Sequence, residues 1–198
     1  MNTYLLLAQN AKGSACTQLI IDALSAPNMF NFAKLLQMPN VIALKDSEEF
    51  ASYYRLLEIF AYETYQTYKD ESEQLPSLEP THVSKLKILS LMTYAAKSKT
   101  LEYSFLIDKL GCKDLQEMED VVIDAIYQDV LEAKMDQQRR VVSVDYVVGR
   151  DIRPSELGTK VRDKLEEWTT TCQETAKNLD ENKQPNYTIE ANGVLRSQ

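Results

Sequence analysis

Apolar positions recur at helical spacing through most of the chain. Leu19, Ile20, Ala23 and Leu24 fall on one side of a helix, and Pro27 stops that segment. Phe32, Leu35 and Leu36 make a short amphipathic turn ended by Pro39, and Val41, Ile42 and Leu44 follow. Ser47 reads as an N-cap, with Glu48 and Glu49 in the first turn where the helix dipole favours acids. Behind it Phe50, Tyr53, Tyr54, Leu57, Phe60, Ala61, Tyr65 and Tyr68 keep a helical period for about five turns. Such an aromatic stripe serves far more often as helix-to-helix core than as a ligand box. The first 80 residues therefore read as a set of short helices, with no repeat at a fixed sequence period.

A polar, proline-bounded break over residues 70–80 is the best candidate domain boundary. Beyond it, Thr81 can cap a helix carrying Val83, Leu86, Leu89, Thr93 and Ala96 on one face. Residues 100–103 are a short extended stretch, and 104–110 a short helix ended by Gly111. Asp114 and Glu117 form an Asp-x-x-Glu start, close in logic to a capping box, for a helix that buries Leu115, Met118, Val122, Ala125 and Ile126. Residues 133–136, a polar turn at 137–140 and residues 141–148 complete the pattern. In the last of these Val142, Val144 and Tyr146 alternate with Ser143 and Asp145, as in a strand. Helix, short strand, helix, helix, strand, turn and strand is the order of a winged helix. The chain is thus expected to be mainly α, with helical hairpins over 1–80, a winged helix over 81–150 and a further helix over 151–180. Residues 181–198 are polar and are expected to be disordered.

That further helix carries Leu157, Val161, Leu165, Trp168, Cys172, Thr175 and Leu179 at steps of 4, 4, 3, 4, 3 and 4 residues, a seam spacing. Burying the seam contributes at most on the order of 10 kcal/mol. It needs a second helix, supplied either by a partner or by a fold-back onto the first half of this chain.

Composition narrows function more than fold. The chain has 198 residues with 22 Lys and Arg against 30 Asp and Glu, a net charge of −8, which argues against a nucleic-acid or anionic-membrane partner. The helix expected in the groove-reading place carries Asp114, Glu117, Glu119, Asp120, Asp124, Asp129 and Glu132 with no Lys or Arg, so phosphate would repel it. Cations gather instead at and beyond the wing: Lys134, Arg139, Arg140, Arg150 and Arg153. A minor-groove contact by the wing is the competing use; solvated or salt-bridging cations are commoner. A winged helix that does not read DNA is most simply a protein-interaction module with a strand edge to offer.

His82 is the single histidine, so a two-histidine metal site within the chain is excluded, and a Cys–His catalytic pair rests on one residue at a helix start. No phosphate-binding glycine loop or nucleophile elbow occurs. No cofactor is implied. Cys16, Cys112 and Cys172 are odd in number and far apart, which reads as reduced thiols in a cytosolic or nuclear protein. The apolar run at residues 4–8 lacks a preceding cation and is too short for a signal peptide or a membrane span. Asn186-Tyr187-Thr188 matches a glycosylation acceptor by chance.

Several stretches carry a more specific signal: LLLAQNAKGSACTQLI (5–20), SAPNMFNFAKLLQMPNV (25–41), YYRLLEIFAYETY (53–65), KLKILSLMTYAAKSKTLEYSFLI (85–107), LQEMEDVVIDAIYQDVLEAKMDQ (115–137) and VDYVVGRDIRPSEL (144–157). They resemble the PCI-domain family, and within it the COP9 signalosome subunit 7 branch, over about residues 4–172. The resemblance implies helical hairpins fused to a winged helix and a C-terminal helix. It implies a non-catalytic scaffold in the complex that removes NEDD8 from cullins and so regulates cullin–RING ligases. The isopeptidase metal site would belong to another subunit. Implied partners are the other PCI and MPN subunits, in cytoplasm and nucleus. Family members join through winged-helix edges and gather their C-terminal helices in one bundle. The matching positions here are Lys134, Met135, Val142, Val144 and Tyr146, then Arg150 and Asp151, then Leu157, Val161, Leu165, Trp168 and Cys172. Relatives often carry a longer charged tail than this chain has. A PCI subunit of the proteasome lid or of translation initiation factor 3 is the sibling reading, and a nucleic-acid-binding winged helix the reading of another class.

Overall fold

The computed structural model describes residues 2–11, 13–27, 29–47 and 49–181. Of the tail expected to be disordered, 181–198, Glu181 is the last residue of a helix, and 182–198, with the Asn186 triplet, lie outside the described residues. Two compact units are present, Met1–Arg153 and Pro154 onward.

The first unit opens with α1 (Asn2–Asn10) and α2 (Ser14–Ser25), the latter burying Cys16, Leu19, Ile20, Ala23 and Leu24. The single turns α3 (Ala33–Leu36) and α4 (Pro39–Ile42) run into a 3-10 turn at Ala43–Asp46. Pro39 does not end the third segment. It opens the fourth, at a first-turn position where its missing N–H is no loss. Ser47 is also not the cap of the next helix. Its carbonyl accepts from Phe50 and Ala51 in a preceding turn, and α5 runs Ala51–Tyr62 with Phe50 before it.

The expected five-turn helix is two helices, α5 and α6 (Tyr65–Asp70), because Glu63 and Thr64 leave the helical region. The cause is tertiary. Arg55 and Arg153 pull the Glu63 carboxylate aside, and the Tyr65 N–H donates to Ser90 Oγ at 2.8 Å. Periodicity alone could not register those partners.

Helix α7 (Pro80–Ala95) starts at Pro80 with Glu79 before it, so Thr81 lies inside the helix and does not cap it. Its burial runs around the axis and not along one face: His82, Lys85, Leu86, Lys87, Ile88, Leu89, Ser90, Leu91, Met92 and Ala95 are all buried. The polar members have partners. His82 Nε2 is 2.8 Å from Ser25 Oγ. Lys85 Nζ donates to the carbonyls of Leu24 at 3.0 Å and Ala26 at 2.6 Å, closing the end of α2, and sits over the rings of Phe30 and Phe32. Desolvation pulls the Lys85 ammonium down to about 8. Lys87 pairs with Glu117 at 2.6 Å over the Tyr65 ring.

A winged helix follows: β1 (Thr100–Glu102), α8 (Tyr103–Leu110), α9 (Leu115–Tyr127), β2 (Leu131–Asp136) and β3 (Val141–Val147). Gly111 ends α8 in the left-handed region at φ 59°, and the Tyr65 ring would lie 2.6 Å from an added Cβ. Asp114 caps α9 by accepting from the Glu117 N–H at 2.8 Å, while Glu117 accepts from the Lys113 N–H at 2.7 Å. Met118, Val121, Val122 and Ala125 are buried, but Leu115 is exposed and does not join the core as its spacing suggested.

The sheet is antiparallel in the order β1-β3-β2, so β3 is its centre and β1 and β2 are its edges. Val142 and Val144 are buried. Tyr146 breaks the alternation. It faces Glu132 while Val144 faces Ala133, so Asp145 is an extra residue in the ladder and the side of the strand switches. Tyr146 is 56% exposed as a result. Phe60, Leu89, Leu106 and Val122 belong to one continuous core that crosses from the hairpins to the winged helix.

The second unit is α10 (Pro154–Glu181), a single long helix.

Candidate assembly interface

Helix α10 carries the seam read from the sequence. Leu157, Val161 and Leu165 are each about half exposed and Trp168 is 66% exposed, with Cys172 open beside them. An intermittent leucine on a surface is ordinary; a stripe of them that includes a tryptophan and continues to Leu179, 57% exposed, is not.

Of the strand residues, Lys134 and Met135 lie on β2, an edge of the sheet. Lys134 is exposed and pairs with Asp145 at 3.0 Å across to β3. Tyr146 presents its ring outward. Val142 and Val144 are turned into the core on the central strand, so they hold the chain's own fold and present no partner face.

Arg150 and Asp151 are likewise turned inward. Arg150 Nη2 donates to the carbonyls of Ile59 at 3.0 Å and Phe60 at 2.8 Å, near the end of α5. Its Nη1 donates to Thr93 Oγ1 at 2.7 Å and the Leu89 carbonyl at 3.3 Å on α7. Burial pulls this guanidinium down to about 10. Asp151 accepts from the N–H groups of Phe32 and Ala33 and from Asn31 Nδ2, capping the α3 turn. Arg153 continues the clasp, pairing with Glu63 and lying over the Tyr62 ring. Arg55 meets the same Glu63 as well as Glu58 and Glu71, and these carboxylates hold its guanidinium above its usual range. Residues 150–153 therefore tie the exit of the winged helix to α3, α5 and α7. A burst of charge just outside the winged-helix pattern was the available sequence signal, and it reads equally well as surface.

The same contacts bear on the wing cations. Lys134 and Arg139 pair with Asp145 and Asp136, and Arg150 and Arg153 are engaged in the clasp. Arg140, at φ 53° in the hairpin turn, stays exposed. A row of free cations aimed at phosphate is not formed among them. The most exposed aromatic among the described residues escaped the sequence reading: Tyr127, at the end of α9, is 83% exposed. It occupies a position whose helical spacing gave no reason to single it out.

Comparison with known proteins agrees with this architecture. The family model of the CSN7 helical bundle subdomain matches residues 3–33, and that of the PCI domain matches residues 65–145. COP9 signalosome complex subunit 7a of Pongo abelii is 42% identical over 178 residues, covering 90% of this chain and 64% of its own. COP9 signalosome complex subunit 7 of Dictyostelium discoideum is 37% identical over 173 residues, covering 87% and 66%. Eukaryotic translation initiation factor 3 subunit M of the same organism is 31% identical over 147 residues, covering 70% of this chain and 36% of its own. The chain spans just under two thirds of the length of these subunit 7 relatives.

Proposed function

Because the chain belongs to the COP9 signalosome subunit 7 family of PCI-domain proteins, we propose that it is a non-catalytic scaffold subunit of that complex. In this role it assembles through the edge strand of its winged helix and through α10 with other PCI and MPN subunits. The assembly removes NEDD8 from cullins and so regulates cullin–RING ligases, with the isopeptidase chemistry in a different subunit, in cytoplasm and nucleus. No described helix is long and apolar enough to cross a membrane.

The observation that carries the reading is the stripe on α10. The first unit already has a closed core of its own, whereas Val161, Leu165 and Trp168 stay in water. Leaving such side chains exposed forgoes about 1.5–3 kcal/mol each, which a partner helix would recover. The interface-bearing strand residues are accordingly Lys134, Met135 and Tyr146.

The test is affinity purification of the tagged chain from cells with mass spectrometry of what accompanies it. Signalosome subunits in near-equal amounts, with cullin deneddylation in the eluate, support the proposal. The resemblance to the initiation factor 3 subunit favours a second reading, in which the same surfaces serve a different PCI assembly; recovery of initiation-factor or proteasome-lid subunits would select it. Recovery of the chain alone would overturn both. Salt-sensitive binding to duplex DNA or RNA that disappears on Arg139→Ala/Arg140→Ala would favour the nucleic-acid class instead.

A further inference from the structure

Cys112 lies in the turn between α8 and α9, directly after Gly111, and its sulfur meets a lysine of α7. Lys87 Nζ is 4.0 Å from Cys112 Sγ and 2.6 Å from Glu117 Oε1. Both partners are enclosed: Lys87 is 5% exposed and Cys112 9%. The Tyr65 ring lies 5.4 Å from the ammonium and helps to hold it in place. An amine, a thiol and a carboxylate are thus gathered inside the chain, on residues that the assembly surfaces do not use.

The ion pair of Lys87 with Glu117 needs no sulfur beside it. A thiol held next to a fixed amine is nevertheless a chemical pair, because a sulfur oxidised there already has its reaction partner in place. Burial raises the Cys112 thiol, and the Lys87 cation opposes that rise. Cys16 is the internal contrast. Burial raises its thiol too, with no charged neighbour acting on it.

We propose that Lys87 and Cys112 form an oxidative cross-link, in which a peroxide joins Lys87 Nζ to Cys112 Sγ through one oxygen and ties α7 to the α8–α9 turn. In the first step the sulfur attacks hydrogen peroxide and the O–O bond breaks. Cys112 becomes a sulfenic acid, oxidised by two electrons, and one water leaves. In the second step the Lys87 ammonium passes a proton to Glu117, whose side chain is 37% exposed and returns it to solvent. A second peroxide then takes two electrons from the pair. One N–H bond and the sulfenic O–H bond break, an O–N bond forms, and two waters leave. One thiol, one amine and two peroxides give an S–O–N bridge and three waters. Two equivalents of dithiothreitol supply the four electrons that restore thiol and amine, with release of one water.

The test treats the full-length chain with graded hydrogen peroxide, once folded and once unfolded in urea. Catalase stops the reaction, remaining thiols are alkylated in denaturant, and tryptic peptides are mapped by mass spectrometry. The folded chain should yield a peptide pair joining residues 86–97 to residues 110–113, heavier than its reduced parts by one oxygen less two hydrogens. Its yield should exceed that from the unfolded chain by at least about tenfold, and dithiothreitol should abolish it. Lys87→Arg keeps a cation for Glu117 but offers no amine. In that variant the pair should vanish, and dimedone should label Cys112 in its place. Cys112 remaining a free thiol at peroxide doses that oxidise the exposed Cys172 would overturn the proposal. So would dimedone capture of Cys112 in the folded wild type without the joined peptides. Joining to Lys113, or equal yields from folded and unfolded chains, would overturn it as well.

Discussion

Helix α7 holds two lysines in the interior, and helix α10 leaves a tryptophan and four large aliphatic side chains in water. Residue type alone would have exchanged these places. The difference lies in where the partners are. Lys85 finds the open carbonyls at the end of α2 and two aromatic faces; Lys87 finds Glu117. Each buried charge is answered inside the chain, so α7 is complete as folded. The stripe of α10 has no such answer among the described residues of its own unit. One helix records how the chain holds itself together, and the other how it would hold to something else.

The largest expected break in this contrast is at α10. Leu165→Asp/Trp168→Asp should abolish recovery of partner subunits, a loss of more than about a hundredfold, while chemical denaturation of the chain shifts by no more than about 0.5 kcal/mol. A large loss of stability would mean that the stripe belongs to the chain's own core. Next is the clasp. Arg150→Met should cost about 3 kcal/mol or more, because four acceptors on α5 and α7 lose their donor in the interior. A urea midpoint near the wild-type value would show that Arg150 is dispensable to the fold and free for the partner role first assigned to it.

The third effect is a pH dependence carried by Lys85. Its folded-state pKa is pulled down to about 8, while in the unfolded chain it returns to an ordinary lysine value. Between those values the unfolded state binds more protons, so raising the pH stabilises the fold. Relative to Lys85→Met, the wild-type chain should gain on the order of 1–2 kcal/mol between pH 8 and pH 9.5 and nothing between pH 6 and pH 7.5. Parallel urea titrations of the two proteins give the difference directly, and a flat difference would count against a desolvated ammonium. The smallest effect is Asp151→Ala, which should cost about 1 kcal/mol by uncapping the α3 turn. Amide exchange at Phe32 and Ala33 should quicken with it; unchanged exchange would remove the cap from the account.

What could be read in the sequence follows the same division between local and distant causes. Gly111, the Asp114 cap and the strand at 141–148 were legible because turn chemistry and alternation act within a few residues. The break at Glu63 and Thr64 was not, since Arg153 and Ser90, far along the chain, create it. Pro39 and Ser47 were placed one element out because short turns leave several positions able to start a helix. The α10 seam was legible in full. The strand residues were legible only as a strand: which of them face outward depends on β3 being central and on the extra residue at Asp145. Arg150 and Asp151 stood out as a charged pair, but nothing local distinguishes a clasp from a surface.

Cys172 lies open on the seam, while Cys16 and Cys112 are buried and burial raises both of their thiols. The chain therefore carries one accessible sulfur on the seam of α10 and two shielded ones in its core. Under the proposed docking of the seam, the rate at which a maleimide consumes the accessible thiol would measure how much of the chain is undocked at any moment. Assembly and exchange can then be timed on unmodified protein, with the buried pair keeping an internal clock for unfolding.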